Sequence, residues 1–174
     1  MDTQKSHFDL FGLPQSFLID LPQLDSQFRR LQSEVHPDRF ATSSDHERRL
    51  SLQLATQANE AYQTLKNPLS RARYLLQLKG IDTLEESNTS MPVDFLMQQM
   101  EWREALEEAQ AARNTDALDA LLLELRTAEK SLYRVLEQAI DHEINDAVAT
   151  DTVRKLKFID KVQSEIEQAI ETLE

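Results

Sequence analysis

A proline between two helical patterns constrains the fold of this chain more than any other feature. Apolar side chains recur at helical spacing through residues 21–35 and again through residues 44–66. A proline inside a helix removes a hydrogen bond and clashes with the preceding turn, at about 3 kcal/mol, and it drives the residue before it out of helical angles. The sequence therefore predicts a hairpin of two helices, with His36, Pro37 and Asp38 exposed in the loop at its tip.

The rest of the first half is also helical in pattern. The chain has 174 residues and only two glycines, and it is rich in helix-forming residue types. Ser6, Asp20 and Ser44 stand where helix N-caps are expected. We predict four helices in residues 1–80, and the second long helix is expected to bury one stripe: Leu50, Leu54, Ala58, Ala61, Tyr62 and Leu65.

A polar connection at residues 81–91 precedes three further helices, which start near Pro92, Asn114 and Asp146. Short links between them indicate an antiparallel three-helix bundle at 92–174, so the predicted fold is all-α with two domains. The expected core of the second bundle helix is Leu118, Leu121, Leu122, Leu125, Leu132, Val135, Ala139 and Ile144. The expected core of the third is Val148, Leu156, Ile159, Val162, Ile166, Ile170 and Leu173.

Charge and sulfur chemistry exclude several functions. Residues 1–80 carry a net charge of +1 and residues 81–174 a net charge of −13. The acidic half would repel phosphate, so no nucleic-acid partner is expected. The absence of cysteine excludes thiol catalysis, disulfides and cysteine-ligated metals within the chain, and is compatible with the cytoplasm. No apolar run approaches the roughly 18 residues of a membrane helix, so no membrane partner is expected.

The first bundle helix has two apolar stripes instead of one. At about 100° per residue, Phe95, Trp102, Leu106 and Ala109 fall on one side, and Val93, Leu96, Met97 and Met100 fall nearly opposite, beside Glu101 and Glu104. Phe158 likewise lies well off the core stripe of the third helix. An apolar patch with flexible methionines and a carboxylate rim is typical of a partner-binding surface, although packing against the first domain is the alternative.

Residues 5–79 resemble a J-domain of the DnaJ class. They combine a short helix ending near Gly12, the segment Phe28-Arg29-Arg30-Leu31 and the tripeptide His36-Pro37-Asp38. The whole chain resembles the HscB (Hsc20) family of J-type co-chaperones in iron–sulfur cluster assembly. The segments that carry this resemblance are Phe11-Gly12-Leu13-Pro14, Asn67-Pro68-Leu69-Ser70-Arg71-Ala72, Tyr74-Leu75-Leu76, Phe95-Leu96-Met97, Arg103-Glu104 and Asp151-Thr152-Val153-Arg154-Lys155-Leu156.

The resemblance implies a role for each surface. It implies that His36, Pro37 and Asp38 contact an HscA-type chaperone of the heat-shock-seventy class and stimulate its ATPase, with Arg29 and Arg30 adding attraction. Glu34 stands where many J-domains carry Lys or Arg, so this basic patch is thinner than usual. The resemblance also implies that an IscU-type scaffold binds the second stripe through Leu96, Met97, Met100, Glu101, Glu104 and Phe158.

These expectations describe a co-chaperone that is not an enzyme and needs no cofactor or metal. A general J-domain co-chaperone that holds unfolded clients on the methionine patch is the alternative. A hydrolase using His36 and Asp38 as acid and base is disfavoured, because the two lie on one tip without an implied pocket or nucleophile. A metal site from His36, Asp38 and His46 would lack supporting residues.

Overall fold

The computed structural model describes residues 5–83 and 91–174, which are helical with no strand among them. The chain divides into two compact units, Met1–Leu78 and Lys79–Glu174. Most of the predicted connection, residues 84–90, lies outside the described residues. The predicted all-α class is confirmed. The first unit contains α1 (His7–Leu10), α2 (Leu21–Glu34), α3 (Asp45–Lys66) and α4 (Pro68–Leu78), and the second contains α5 (Val93–Ala111), α6 (Thr115–Glu137) and α7 (Asp146–Leu173).

The helices begin at the capping residues that the sequence predicts. Ser6 and Ser44 each form a complete capping box, in which the serine side chain and the acidic side chain three residues later bond each other's backbone N–H. Asp20 accepts a hydrogen bond from the backbone N–H of Gln23 at 3.0 Å. These bonds satisfy N–H groups that have no partner within the first helical turn, which explains why local sequence sets these boundaries.

Helices α2 and α3 pack as an antiparallel hairpin. Near its base the rings of Phe28 and Tyr62 stack at 4.0 Å, and the Tyr62 hydroxyl donates to Asp25 at 2.7 Å. Near its tip the Ser51 hydroxyl donates to the carbonyl of Val35 at 2.8 Å. Contact positions therefore advance along α2 as they fall back along α3, and residues 36–44 connect the helices at the tip.

The predicted core stripe of α3 is wrong at its first position. Leu50 is 52% exposed, and Ser51 is buried instead. At this level the buried side of α3 faces the end of α2, where the Val35 carbonyl needs a donor because α2 has stopped. A serine hydroxyl supplies that donor and a leucine cannot.

The second unit has a core between α5, α6 and α7. Ion pairing of Arg126 with Glu167 at 3.1 Å and a hydrogen bond between Gln163 and Glu129 at 3.2 Å give α6 and α7 an antiparallel register. The buried core consists of Phe95, Trp102, Leu106, Ala109, Leu118, Leu121, Leu122, Leu125, Ile159, Val162, Ile166 and Ala169.

Three predicted core positions at the α6–α7 end are wrong. Val135 is 44% exposed, Ile144 is 64% exposed and Val148 is 39% exposed, whereas Leu136 is fully buried. Leu136 follows Leu118 by about five full helical turns and so returns to the same side. A π-helical segment, Gln138–His142, then changes the angular step, so a pattern extrapolated from α6 at 100° per residue no longer predicts the side on which Ile144 lies. Val148 lies in the first turn of the separate helix α7.

Candidate functional site

The connection between α2 and α3 holds the first candidate surface. Helix α2 ends at Glu34 with Val35 as its C-cap, His36 is extended at φ −61° and ψ 136°, and Pro37–Phe40 forms a 3₁₀ turn. The backbone N–H of Asp38 donates to His36 Nδ1 at 3.3 Å, and that of Arg39 donates to the His36 carbonyl at 3.0 Å. The side chains of His36 and Asp38 are 59% and 93% exposed, so both groups are accessible from solvent.

This turn is supported from behind by the hairpin. Val35, directly before it, is buried, and its carbonyl receives the Ser51 hydroxyl from α3. Directly after it, the Ser43 N–H donates to the Phe40 carbonyl at 3.0 Å, next to the Ser44 capping box. Hydrogen bonds and a proline with a restricted φ angle therefore hold the turn on both sides.

An open cavity of about 630 Å³ lies beside the turn. Arg29 reaches it from α2, Arg39 from the 3₁₀ turn, and Asn59 from α3. Sequence reasoning missed Arg39. The available signal was its spacing from His36, because side chains three residues apart fall on one side of a 3₁₀ turn. The full lining is Arg29, Gln32, Ser33, Val35, His36, Pro37, Arg39, Ala55 and Asn59.

The two arginines predicted to act together have different surroundings. Arg29 lines the cavity with His36, whereas Arg30 Nε pairs with Glu34 Oε1 at 3.1 Å. This i,i+4 pair is exposed and weak, but it balances the charge of Arg30 locally. The available positive charge beside the turn therefore comes from Arg29 and Arg39.

Helix α5 carries the second candidate surface on the side away from its core. Phe95 and Trp102 are buried, while Leu96 is 43%, Met97 58% and Met100 72% exposed. Glu101 and Glu104 are exposed beside these side chains. We call the group Val93, Leu96, Met97, Met100, Glu101 and Glu104 the outer face of α5.

Phe158 is placed differently from the prediction. It is half-buried at the edge of the core, with its ring 6.0 Å from that of Phe95 and 6.4 Å from that of Trp102. The Arg103 guanidinium lies 5.5 Å from the Phe158 ring centre and also forms an ion pair with Glu165. Because Leu96 precedes Arg103 by about two turns on the same side of α5, Phe158 lies at the border between core and outer face.

Two further observations concern metal binding and membrane-spanning helices in the part of the chain that the structure describes. Within residues 5–83 and 91–174, no group of three or more histidine, cysteine, aspartate or glutamate side chains is arranged to hold a metal ion. Across the same residues, no helix is both long enough and apolar enough to span a bilayer.

Comparison with known proteins decides the family. Residues 91–167 match the family model described as the HSCB C-terminal oligomerisation domain. The co-chaperone protein HscB homolog of Paraburkholderia xenovorans is 54% identical over 169 residues, which cover 97% of this chain and 96% of that protein. The chain belongs to the HscB family of J-type co-chaperones.

Solved structures of HscB proteins support the same assignment. Chaperone HscB from Vibrio cholerae is 42% identical, with a TM-score of 0.85 over 98% of this chain and 100% of that one. Human co-chaperone protein HscB is 29% identical, with a TM-score of 0.89 over 97% of this chain and 83% of that one. The predicted resemblance to the HscB co-chaperones of iron–sulfur cluster assembly is confirmed, and members of this family are co-chaperones, not enzymes.

Proposed function

We propose that this chain delivers an IscU-type scaffold protein to an HscA-type chaperone in the cytoplasm and stimulates the ATPase of that chaperone. The observation that carries the proposal is the presence of two unlike exposed surfaces on one chain, the polar turn at His36 and the apolar outer face of α5. Linking two binding modules makes the second binding event intramolecular, so a captured scaffold is concentrated at the chaperone.

The chaperone-binding surface consists of His36, Pro37 and Asp38 with the neighbouring arginines. The exposed imidazole and carboxylate offer hydrogen bonds in a fixed geometry, because the turn that holds them is braced. Arg29 and Arg39 offer positive charge beside them, which favours an acidic patch on the chaperone and speeds encounter. Arg30 contributes less, because Glu34 accompanies it.

The scaffold-binding surface consists of the outer face of α5 together with Phe158. Leu96, Met97 and Met100 provide apolar area that water covers in the free chain. Glu101 and Glu104 favour a partner with an apolar centre and basic residues around it. The half-buried Phe158 anchors one edge of this surface, since Arg103 and Trp102 hold its ring.

The decisive experiment separates the two surfaces on the full-length chain. ATP hydrolysis by an HscA-type chaperone is measured with this protein and an IscU-type scaffold, and scaffold binding is measured by calorimetry. His36→Gln should lose stimulation and keep scaffold binding, whereas the double variant Met97→Ala/Met100→Ala should lose scaffold binding and keep scaffold-independent stimulation. No acceleration by the wild-type chain, or loss of both activities in either variant, would contradict the proposal.

A general co-chaperone for unfolded clients is the second candidate, favoured by the flexible, exposed methionines. It predicts that the chain suppresses aggregation of an unrelated, chemically unfolded protein. Under the leading proposal this suppression should be absent at the concentrations at which the IscU-type scaffold binds.

A further inference from the structure

Among residues 5–83 and 91–174, exposed sulfur is concentrated on one surface. The sequence contains four methionines and no cysteine, and no sulfur-containing residue lies within residues 5–83. Met97 and Met100 are 58% and 72% exposed on the outer face of α5, whereas Met91 packs against the bundle core. Within the part of the chain that the structure describes, the sulfur atoms that an oxidant in solution reaches most easily are therefore on the surface for which scaffold binding is proposed above.

We propose that Met97 and Met100 form an oxidation site at which hydrogen peroxide switches off partner binding by the outer face of α5. The proposal rests on the proposed function. A sulfur lone pair attacks one peroxide oxygen and the O–O bond breaks; the other oxygen takes both protons and leaves as water. Each thioether loses two electrons and becomes a sulfoxide, and each peroxide gains two.

The neighbours of these two sulfurs make the change costly for binding. On a helix, residues four apart lie side by side, so Met97 is adjacent to Glu101 and Met100 to Glu104. A sulfoxide oxygen is a hydrogen-bond acceptor, and a carboxylate is also an acceptor, so neither glutamate can satisfy the new polar atom. The Arg103 guanidinium, three residues after Met100, is already held by Glu165 and the Phe158 ring. When a partner covers the face, the sulfoxide therefore exchanges its water for carboxylate and apolar neighbours, and burial becomes unfavourable.

Oxidation of methionine should leave stimulation of the ATPase chaperone unaffected, because the turn contains no sulfur. The turn at His36–Asp38, its bracing residue Ser51 and the arginines beside it contain no oxidisable sulfur. An oxidised chain should therefore still bind the ATPase chaperone, but without a bound scaffold. Methionine sulfoxide reductases restore the thioether with electrons from a dithiol, releasing water and leaving a disulfide on the reductase, so the switch is reversible.

The first test measures the oxidation rate of each methionine. The intact protein is treated with hydrogen peroxide, the reaction is stopped with catalase, and each site is quantified by peptide mass spectrometry. Met97 and Met100 should oxidise several times faster than Met91. Oxidation of Met91 at the same rate or faster would overturn the proposal.

The second test measures binding of a purified IscU-type scaffold before and after peroxide. Oxidation should weaken binding by about tenfold or more, and treatment with the sulfoxide reductases should restore it. Met97→Leu/Met100→Leu should show a before-to-after ratio near one, whatever its starting affinity. Met91→Leu, the matched control, should remain as sensitive as wild type. Stimulation of the chaperone without scaffold should not change.

The outcomes distinguish a failure of the proposed function from a failure of the oxidation switch alone. If the untreated chain fails to bind the scaffold, the proposed function fails and this proposal fails with it. If the untreated chain binds and oxidation at Met97 and Met100 leaves affinity unchanged, only the oxidation switch is overturned. Equal sensitivity of the double leucine variant and wild type would overturn it in the same way.

Discussion

The turn at His36–Asp38 and the outer face of α5 are both exposed, but they are built in different ways. The turn depends on bonds made behind it, where Ser51 reaches the Val35 carbonyl and the backbone of Asp38 and Arg39 bonds to His36. The outer face depends on its helix alone, because the opposite side supplies the packing through Phe95 and Trp102. Substitutions that support the turn should therefore change both stability and binding, whereas substitutions on the outer face of α5 should change binding with little effect on stability.

The comparison predicts that residues on the border of the α5 surface act on both folding and binding. Phe158→Ala should destabilise the second unit by about 2 kcal/mol, less than the 3–5 kcal/mol of a fully buried aromatic, because its ring is half-buried. It should also weaken scaffold binding. Denaturation followed by fluorescence of Trp102, the chain's single tryptophan, measures the first effect.

Met100→Ala is the matched control for Phe158→Ala. As a 72% exposed residue it should change stability by no more than about 0.5 kcal/mol while weakening binding. Equal loss of stability in the two variants would contradict the separation of core and outer face on α5.

Removing the hydrogen bond between Ser51 and the Val35 carbonyl should disturb the turn at His36–Asp38, although Ser51 lies outside the turn. Ser51→Ala leaves the buried Val35 carbonyl without its donor, which should cost about 1–2 kcal/mol in the first unit. Hydrogen exchange of peptides covering residues 35–44 should accelerate, and chaperone stimulation should fall although Ser51 is buried. Thr56→Ala, an exposed change on the same helix, is the control and should have neither effect.

The arginines of α2 test whether charge beside the turn is used as the structure suggests. Arg29→Ala should slow association with the chaperone by about threefold, because a rim charge acts mainly on the encounter rate. Arg30→Ala should have a smaller effect, since Glu34 already offsets its charge. Stopped-flow association at low and high salt compares them, and the difference should shrink as salt screens both charges. An equal effect of both substitutions would mean that the ion pair opens on binding.

The smallest expected effect is a pH dependence in the first unit. Burial lowers the pKa of His7 below its usual 6.5, with a smaller opposing influence from Glu60, and the ring stacks on Tyr74 at 4.3 Å. As pH falls below 6.5 the unfolded chain takes up a proton that the folded chain resists, so stability should decline until the folded pKa is passed.

Denaturation midpoints between pH 8 and pH 5, about the span over which a histidine changes charge, measure this decline. His7→Gln should flatten the curve for the first unit. An unchanged curve would show that His7 titrates alike in the folded and unfolded chain.

Local signals in the sequence were sufficient for the helix boundaries. Ser6, Ser44 and Pro37 act on backbone groups within a few residues, so their effect does not depend on the rest of the fold. The exposed stripe of Val93, Leu96, Met97 and Met100 was also predictable, because one helix cannot bury opposite sides in a three-helix bundle. The predicted roles of these residues and of His36, Pro37 and Asp38 stay proposals.

The tertiary structure decided what depends on a neighbouring element. Whether Leu50 or Ser51 is buried depends on a carbonyl at the end of another helix, sixteen residues earlier. Whether the charge of Arg30 is available to a partner depends on the side-chain conformation that pairs it with Glu34. Phe158 lies at the edge of the core because its ring packs near those of Phe95 and Trp102. Sequence periodicity describes one helix at a time, whereas burial and pairing are properties of the surfaces that helices share.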